Sequence, residues 1–519
     1  MSDKKISDKN NFLEYIKKSK ISILIIIFFT IFAFGERLLS NSFGIDSEHY
    51  LSSITDPNRW DWWISLSRWG LVLINQLWHM NAFSIFVSNY LTVVTMIVYA
   101  IMFNYLFYTY IKDEYKERYL KYQFIFPIIF LTNPIFAEQY NFLLQNFGVA
   151  LGILMIPVSI LLINRAMDAE KTLIKIGYYV ISIIMMILSF SIYQSIILLY
   201  IVTVVACYLL KVLKDNDNNW KYLFKFIGIF AIAAGTFLIV SKLLNTSGTS
   251  YLQTGWSSSG VRQCIQNIYY CVMSMLKSET IFYNFGYILS LIAIVCIAIY
   301  LVTKKKMKIG ILIAMLGLIV APFYIMIVTG VDQYKRTQFN YSFVIGFVLM
   351  LSIVLISNKN IFSKGLKVLT LILAIGIAYI QSYTSAVLFY TADIKYQSDV
   401  ELANRIVEGI EEKDWYEKDK DYTLIFLGKY EKNEKNAYIK GEIIGRSFFE
   451  FDYQYIYGLN ERANAFLQIL GYYFNKPSIE QFENAKEYVE SENIKSWPNN
   501  EAITLVDNDK IIVRLSEEI

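Results

Sequence analysis

Histidine, cysteine and proline are all scarce in this chain, at two, four and seven residues out of 519. The few Cys and His show no spacing that would build a metal site from those ligands, and the isolated glycines form no phosphate-binding loop. No repeat of about 20–50 residues recurs, which excludes a solenoid or propeller. Charge is thin as well, at 18% of residues, and no Asp, Glu, Lys or Arg falls deep inside an apolar run. An ion-coupled transporter needs an ionisable relay within the membrane. The paired short, Gly/Pro-broken segments of inverted-repeat transporters are not evident either. With a net charge of only +4, no nucleic-acid partner is expected.

What the chain has in quantity is hydrophobicity, with 55% apolar and 16% aromatic residues. Apolar stretches near 20 residues match a hydrocarbon layer of about 30 Å at about 1.5 Å per helical residue. Eleven are predicted, over 21–38, 82–108, 123–137, 142–163, 176–192, 194–211, 223–243, 284–303, 309–329, 337–357 and 368–388. The fold class that follows is an all-α polytopic membrane bundle. Residues 1–391 carry 32 Lys+Arg against 18 Asp+Glu, whereas residues 392–519 carry 16 against 26, so the two parts have different surroundings. The organisation expected is a cytoplasmic segment at 1–20, a transmembrane domain at 21–391 and an extracytoplasmic domain at 392–519.

Orientation follows from the cations. The N-terminal lysines and the loops around 112–121, 165–175, 211–225, 304–308 and 359–367 are basic, and the positive-inside rule puts them in the cytoplasm. The loops at 39–81, 138–141, 244–283 and 330–336 then face out, as does the acidic tail after an odd number of spans. Glu36, Arg37 and Leu38 follow the first run where a signal peptide would have small residues, so that run is expected to stay as a helix. Cys264 and Cys271 are seven residues apart; on a helix their Cα atoms lie about 10 Å apart, too far for a disulfide, which only a looped conformation would allow.

The tail reads as a small α/β module. Helical spacing covers 395–412, 461–474 and 478–490, TLIFLG at 423–428 suits a buried strand, and ITLVDNDKIIVRL at 503–515 suits a hairpin turning at Asp507, Asn508 and Asp509. It contains no nucleotide or catalytic motif and reads as a support or acceptor-docking module.

Candidate chemistry begins just after the first run, in GIDSEHYLSSITDPNRWDWWISLSRWG at 44–70. Asp46 and Glu48 point the same way on an extended segment and lie about 200° apart on a helix, so they act as a pair or singly. The tryptophans at 60, 62, 63 and 69 suggest a segment lying along the membrane interface, where a carboxylate can meet a lipid-linked substrate. Arg68 offers a permanent charge and a fork of donors suited to phosphate; pairing with Asp61 or contact with headgroups explains it equally well. The short loop VDQYKRTQ at 331–338 forces Asp332, Lys335 and Arg336 onto the mouth of the bundle. In FAEQYNFLLQNFG at 136–148 and SIYQS at 191–195, Glu138, Gln139, Tyr140, Gln145, Asn146, Tyr193 and Gln194 are polar groups near the outer leaflet. Such groups must be satisfied inside the bundle, by helix–helix hydrogen bonds or by sugar hydroxyls.

The basic N-terminus, the first span, the outer loop with GIDSEHY, then SRWG and a late outer loop with Lys and Arg together resemble the Gtr-type II bacterial glucosyltransferases, membrane enzymes of the GT-C class. The resemblance covers about residues 20–390. It implies transfer of glucose or a related hexose from a polyprenyl-phosphate donor to a glycan outside the bacterial cytoplasmic membrane, a cell-wall polymer or an O-antigen. The implied general base is Asp46, with Glu48 as second choice because Ser47 separates an acidic pair that the family usually has side by side. Arg68, Lys335 and Arg336 are the implied donor-phosphate contacts, and Gln139, Tyr140, Tyr193, Gln194 and Asp332 the sugar or acceptor contacts. A single displacement would invert the anomeric centre. No cofactor is expected, a divalent ion at Asp46 and Glu48 being the one option left open. The implied partners are the donor, the glycan acceptor and the bilayer, with a flippase and a donor synthase as accessories. A glycan transporter or flippase component and a polysaccharide polymerase or ligase are the competing classes.

Overall fold

Proline decides where two of the apolar runs break. In the computed structural model, the run predicted at 123–137 is two short helices, Ile125–Thr132 and Pro134–Tyr140. Pro134 cannot donate a backbone hydrogen bond and disfavours helical backbone in the residue before it. Asn133 accordingly sits at φ −61°, ψ 135° and caps the second helix by accepting from the Ile135 amide at 3.0 Å. Together the two pieces reach about 24 Å at about 1.5 Å per residue. The run at 309–329 is likewise interrupted by a 3₁₀ turn, Ala321–Phe323, that contains Pro322.

The structure describes residues 12–54, 56–79, 83–244, 255–356, 361–430, 439–451 and 458–518. Among them, nine helices are long and apolar enough to cross a membrane, and the chain is a multi-pass membrane protein. Two of the eleven predicted runs fall outside that nine: the broken one, and Phe339–Leu355, which has only 17 residues.

Contacts divide the chain into two compact units. The first comprises Met1–Leu39, Trp60–Tyr140 and Leu144–Ala386. Its centre is Phe339–Leu355, a helix apolar on every side and buried along almost its whole length, as expected of a core helix. It packs on Ile125–Thr132 and Gly286–Thr303. A Cβ at Gly346 would lie 2.6 Å from the Phe126 carbonyl oxygen, so glycine is what lets the two helices meet. Phe103, Phe107, Phe126, Phe130, Phe343 and Phe347 fill the space around them with edge-to-face and stacked rings. Asn146 is spent on helix–helix bonding: its amide donates to Asn89 at 3.0 Å and its oxygen accepts from Ser88 at 2.7 Å.

The second unit comprises Ser40–Arg59, Asn141–Leu143 and Val387–Ile519. Strands β1 (Thr423–Leu427), β2 (Ile503–Val506) and β3 (Lys510–Arg514) form a sheet of order β1-β3-β2, with β1 parallel and β2 antiparallel to β3. Asp507 and Asn508 both have positive φ, at 52° and 62°, the backbone of a tight hairpin turn. Ile425, Leu427 and Ile512 pack against Ala485 and Val489 of the helix Ile479–Glu492. The predicted helix at 395–412 continues the last apolar run as one helix, Ile361–Glu411, of 51 residues. Cys264 and Cys271 lie on one helix, Gly260–Lys277, as buried free thiols.

Candidate functional site

In the second unit, the first-loop carboxylates are fixed by a sharp turn and a short helix. Phe43 is held among the rings of Tyr396, Phe448 and Phe466, 5.0–6.0 Å away. A Cβ at Gly44 would collide with the Asn141 side chain. Asp46 then adopts φ 73°, a left-handed conformation that Asp tolerates better than most residues, and heads the helix Ser47–Ser52. This kink, which neither an extended nor a helical reading contains, turns both carboxylates onto one guanidinium. Arg462 Nη2 lies 3.0 Å from Asp46 Oδ1, and Nη1 lies 2.7 Å from Glu48 Oε1.

The two acids differ in exposure. The Asp46 side chain is 30% exposed and that of Glu48 only 3%. Glu48 Oε2 has no hydrogen-bond partner among the described residues. Burial pushes the Glu48 carboxyl up to about 7, with Arg462 opposing the rise and Asp46 adding to it. A carboxylate with room for substrate therefore shares an arginine with one that has almost none.

Arg462 is the member of this cluster that sequence reasoning missed, in a module judged to lack chemistry. It belongs to the helix Asn460–Ile469. Asn460 bonds both the Phe426 amide and carbonyl of β1, at 2.6 and 2.8 Å, and Asn464 donates to the Leu424 carbonyl at 3.1 Å. With these two asparagines facing the strand, Arg462 lies about 200° round the helix from Asn460 and meets the acids. One signal was available: Arg462 sits among Leu459, Ala463, Phe466 and Leu467 at helical spacing, and a charge on an apolar face calls for a partner. Further contacts line the same two helices. His49 Nδ1 is 3.7 Å from Glu461 Oε1, and Gln468 donates to the Ser52 carbonyl at 3.2 Å.

The other predicted residues belong to the first unit. Arg68 precedes the helix Trp69–His79, which approaches the helix Thr172–Ile192 closely because a Cβ at Gly70 would strike the Ser191 side chain. The Arg68 guanidinium lies 4.8 Å from the Tyr193 ring centroid, and its Nη1 is 3.4 Å from Gln145 Oε1. Asp61 is exposed, and among the described residues it makes no ion pair with Arg68. Gln194 donates to the Leu66 carbonyl and so supports the backbone just before Arg68. Lys335 pairs with Asp332 at 3.0 Å, and Arg336 stacks on Tyr334 at 3.9 Å.

The turn Lys335–Thr337 packs on Pro134–Tyr140. Phe339, just after that turn, stacks on Phe136 at 5.1 Å and meets Tyr193 at 6.1 Å. Tyr193, beside Arg68, and Phe136, in the helix that ends at Tyr140, thus both pack on the Phe339 ring. Tyr140 shares a hydroxyl contact with Tyr99 at 3.3 Å. Gln139 is fully buried, and neither of its amide atoms has a hydrogen-bond partner among the described residues. A buried amide left this way costs about 1–3 kcal/mol.

The Arg462 guanidinium lies within ion-pair distance of both Asp46 and Glu48. Among the described residues no group of three or more His, Cys, Asp or Glu is placed to hold a metal ion. In comparison with known families, the sequence model described as "Glucosyl transferase GtrII" matches residues 37–353. No curated protein and no solved structure matches the chain.

Proposed function

The chain belongs to the glucosyl transferase GtrII family, and from that premise we propose that it moves a glucosyl or related hexosyl group from a polyprenyl-phosphate donor to an extracytoplasmic glycan or cell-wall polymer. Asp46 takes the proton of the acceptor hydroxyl. The hydroxyl oxygen bonds to the anomeric carbon as the carbon–oxygen bond to phosphate breaks, and its electron pair leaves with polyprenyl phosphate. One displacement of this kind inverts the anomeric centre. Arg68, Lys335 and Arg336 supply positive charge for the departing phosphate, and Gln139, Tyr140 and Tyr193 supply polar contacts for sugar hydroxyls. The reading also places the protein in a bacterial cytoplasmic membrane, with the basic loops inside and residues 392–519 outside, supplied by a donor synthase and a flippase.

The observation that supports this most is the unequal sharing of Arg462: Asp46 stays accessible while held in place, as a general base must be. General-base assistance is typically worth about 10²–10⁴ in rate. The test is transfer of labelled glucose from polyprenyl-phosphate glucose to cell-envelope glycan, with the protein in detergent or vesicles. Asp46→Asn should abolish transfer and leave donor binding intact. Activity in Asp46→Asn with Glu48→Gln inactive would move the base to Glu48; normal turnover in both would sink the reading.

A further inference from the structure

Arg462 lies outside residues 37–353, so nothing in the family match accounts for it. It is 5% exposed, and its guanidinium reaches two carboxylates at 3.0 and 2.7 Å. Two acids this close repel each other unless a cation lies between them. Arginine serves this better than lysine because its planar fork fixes two acceptors at once. The helix that carries it is tied to β1 through Asn460 and Asn464, so the guanidinium is not free to swing away. Its ring neighbour Phe451, 5.9 Å off, adds to this confinement.

We propose that Arg462 is a positioning residue: one arm of its fork is anchored on buried Glu48, and the other holds accessible Asp46 in the orientation needed for proton removal. The inference rests on the reading of Asp46 as the base. Glu48 in this arrangement serves the reaction through Arg462 rather than through substrate. Among the described residues, the charged groups paired with the guanidinium include Asp46 and Glu48, with His49 and Glu461 paired alongside.

The experiment compares Arg462→Gln, Arg462→Lys, Asp46→Asn and Ile512→Val in the full-length protein, with polyprenyl-phosphate glucose as donor and cell-envelope glycan as acceptor. Ile512 is in the sheet core, away from the acids, and reports what destabilisation of this unit does by itself. Arg462→Gln should lower kcat by about tenfold to a hundredfold, the scale of a misplaced catalytic group, with the donor KM within about twofold. Its pH–rate profile should also change, since Arg462 no longer opposes the upward push of burial on the Glu48 carboxyl. Arg462→Lys should recover part of the rate. Ile512→Val should shift neither kcat nor the profile. A folded Arg462→Gln with ordinary kcat and profile would overturn the proposal. If that variant fails to fold, Arg462→Lys decides, because full kcat without the fork also overturns it. Inactive Asp46→Asn beside fully active Arg462 variants sinks this inference alone, whereas active Asp46→Asn removes the base on which it rests and overturns it, and takes the proposed function with it only if Glu48→Gln is active as well.

Discussion

Glu48 sets a pH dependence whose sign can be worked out. Its ordinary value is 4.5, and in the fold burial pushes it up to about 7. The folded state therefore binds this proton more tightly than the unfolded one. The stability so gained is full below about pH 4.5 and is lost as pH rises through about 7. Glu48→Gln, neutral at every pH, should flatten the thermal midpoint measured between about pH 5 and 8; a variant with the original slope would assign that slope elsewhere. A second residue-scale expectation concerns Arg68, whose guanidinium rests on the Tyr193 ring. Tyr193→Phe keeps the ring under Arg68 and loses only the hydroxyl assigned to sugar, so it should cost less in transfer than Tyr193→Leu. Tyr193→Leu removes a contact worth about 0.5–2 kcal/mol and should lower kcat/KM several-fold.

Between elements, glycine controls how closely helices meet. At Gly346 an added methyl has only backbone to displace, the Phe126 carbonyl at 2.6 Å. Gly346→Ala should therefore destabilise the first unit by about 1–3 kcal/mol, the usual cost of overpacking, seen as a lower unfolding temperature in detergent. Gly376, inside the helix Ile361–Glu411, has nothing within 4 Å of an added Cβ. Gly376→Ala should be neutral or stabilise by up to about 1 kcal/mol through helix propensity. Equal losses at the two sites would mean that packing is not what distinguishes them.

At the scale of the whole molecule, the expectation to check is orientation across the membrane. The interrupted run at 125–140 still needs to cross for the basic loops to stay on one side. In a Cys296→Ser background the cysteines that remain are buried, so a new one can be read cleanly. A membrane-impermeant maleimide should label Glu517→Cys in intact cells, and Lys305→Cys only after permeabilisation. The reverse pattern would turn the whole topology over and place the first-loop acids in the cytoplasm.

Much of the fold was legible because its causes are local. Apolar runs mark spans, Pro134 and Pro322 mark the interruptions although the run lengths alone hid them, and Asp507 with Asn508 marks the hairpin. Asp46, Glu48, Arg68, Lys335 and Arg336 could be nominated because charge at the ends of apolar runs is conspicuous. What the acids do with one another was not legible. Arg462 is 416 residues from Asp46, and the turn at Asp46 that presents both acids to it depends on Gly44, Asn141 and the rings around Phe43. The sequence by itself determined which segments are apolar enough for a membrane and where charge gathers at their ends, since hydrophobicity and charge belong to residues. Only the tertiary structure decided which carboxylate stays accessible, which is buried and which cation they share, since burial and pairing belong to contacts made across the chain.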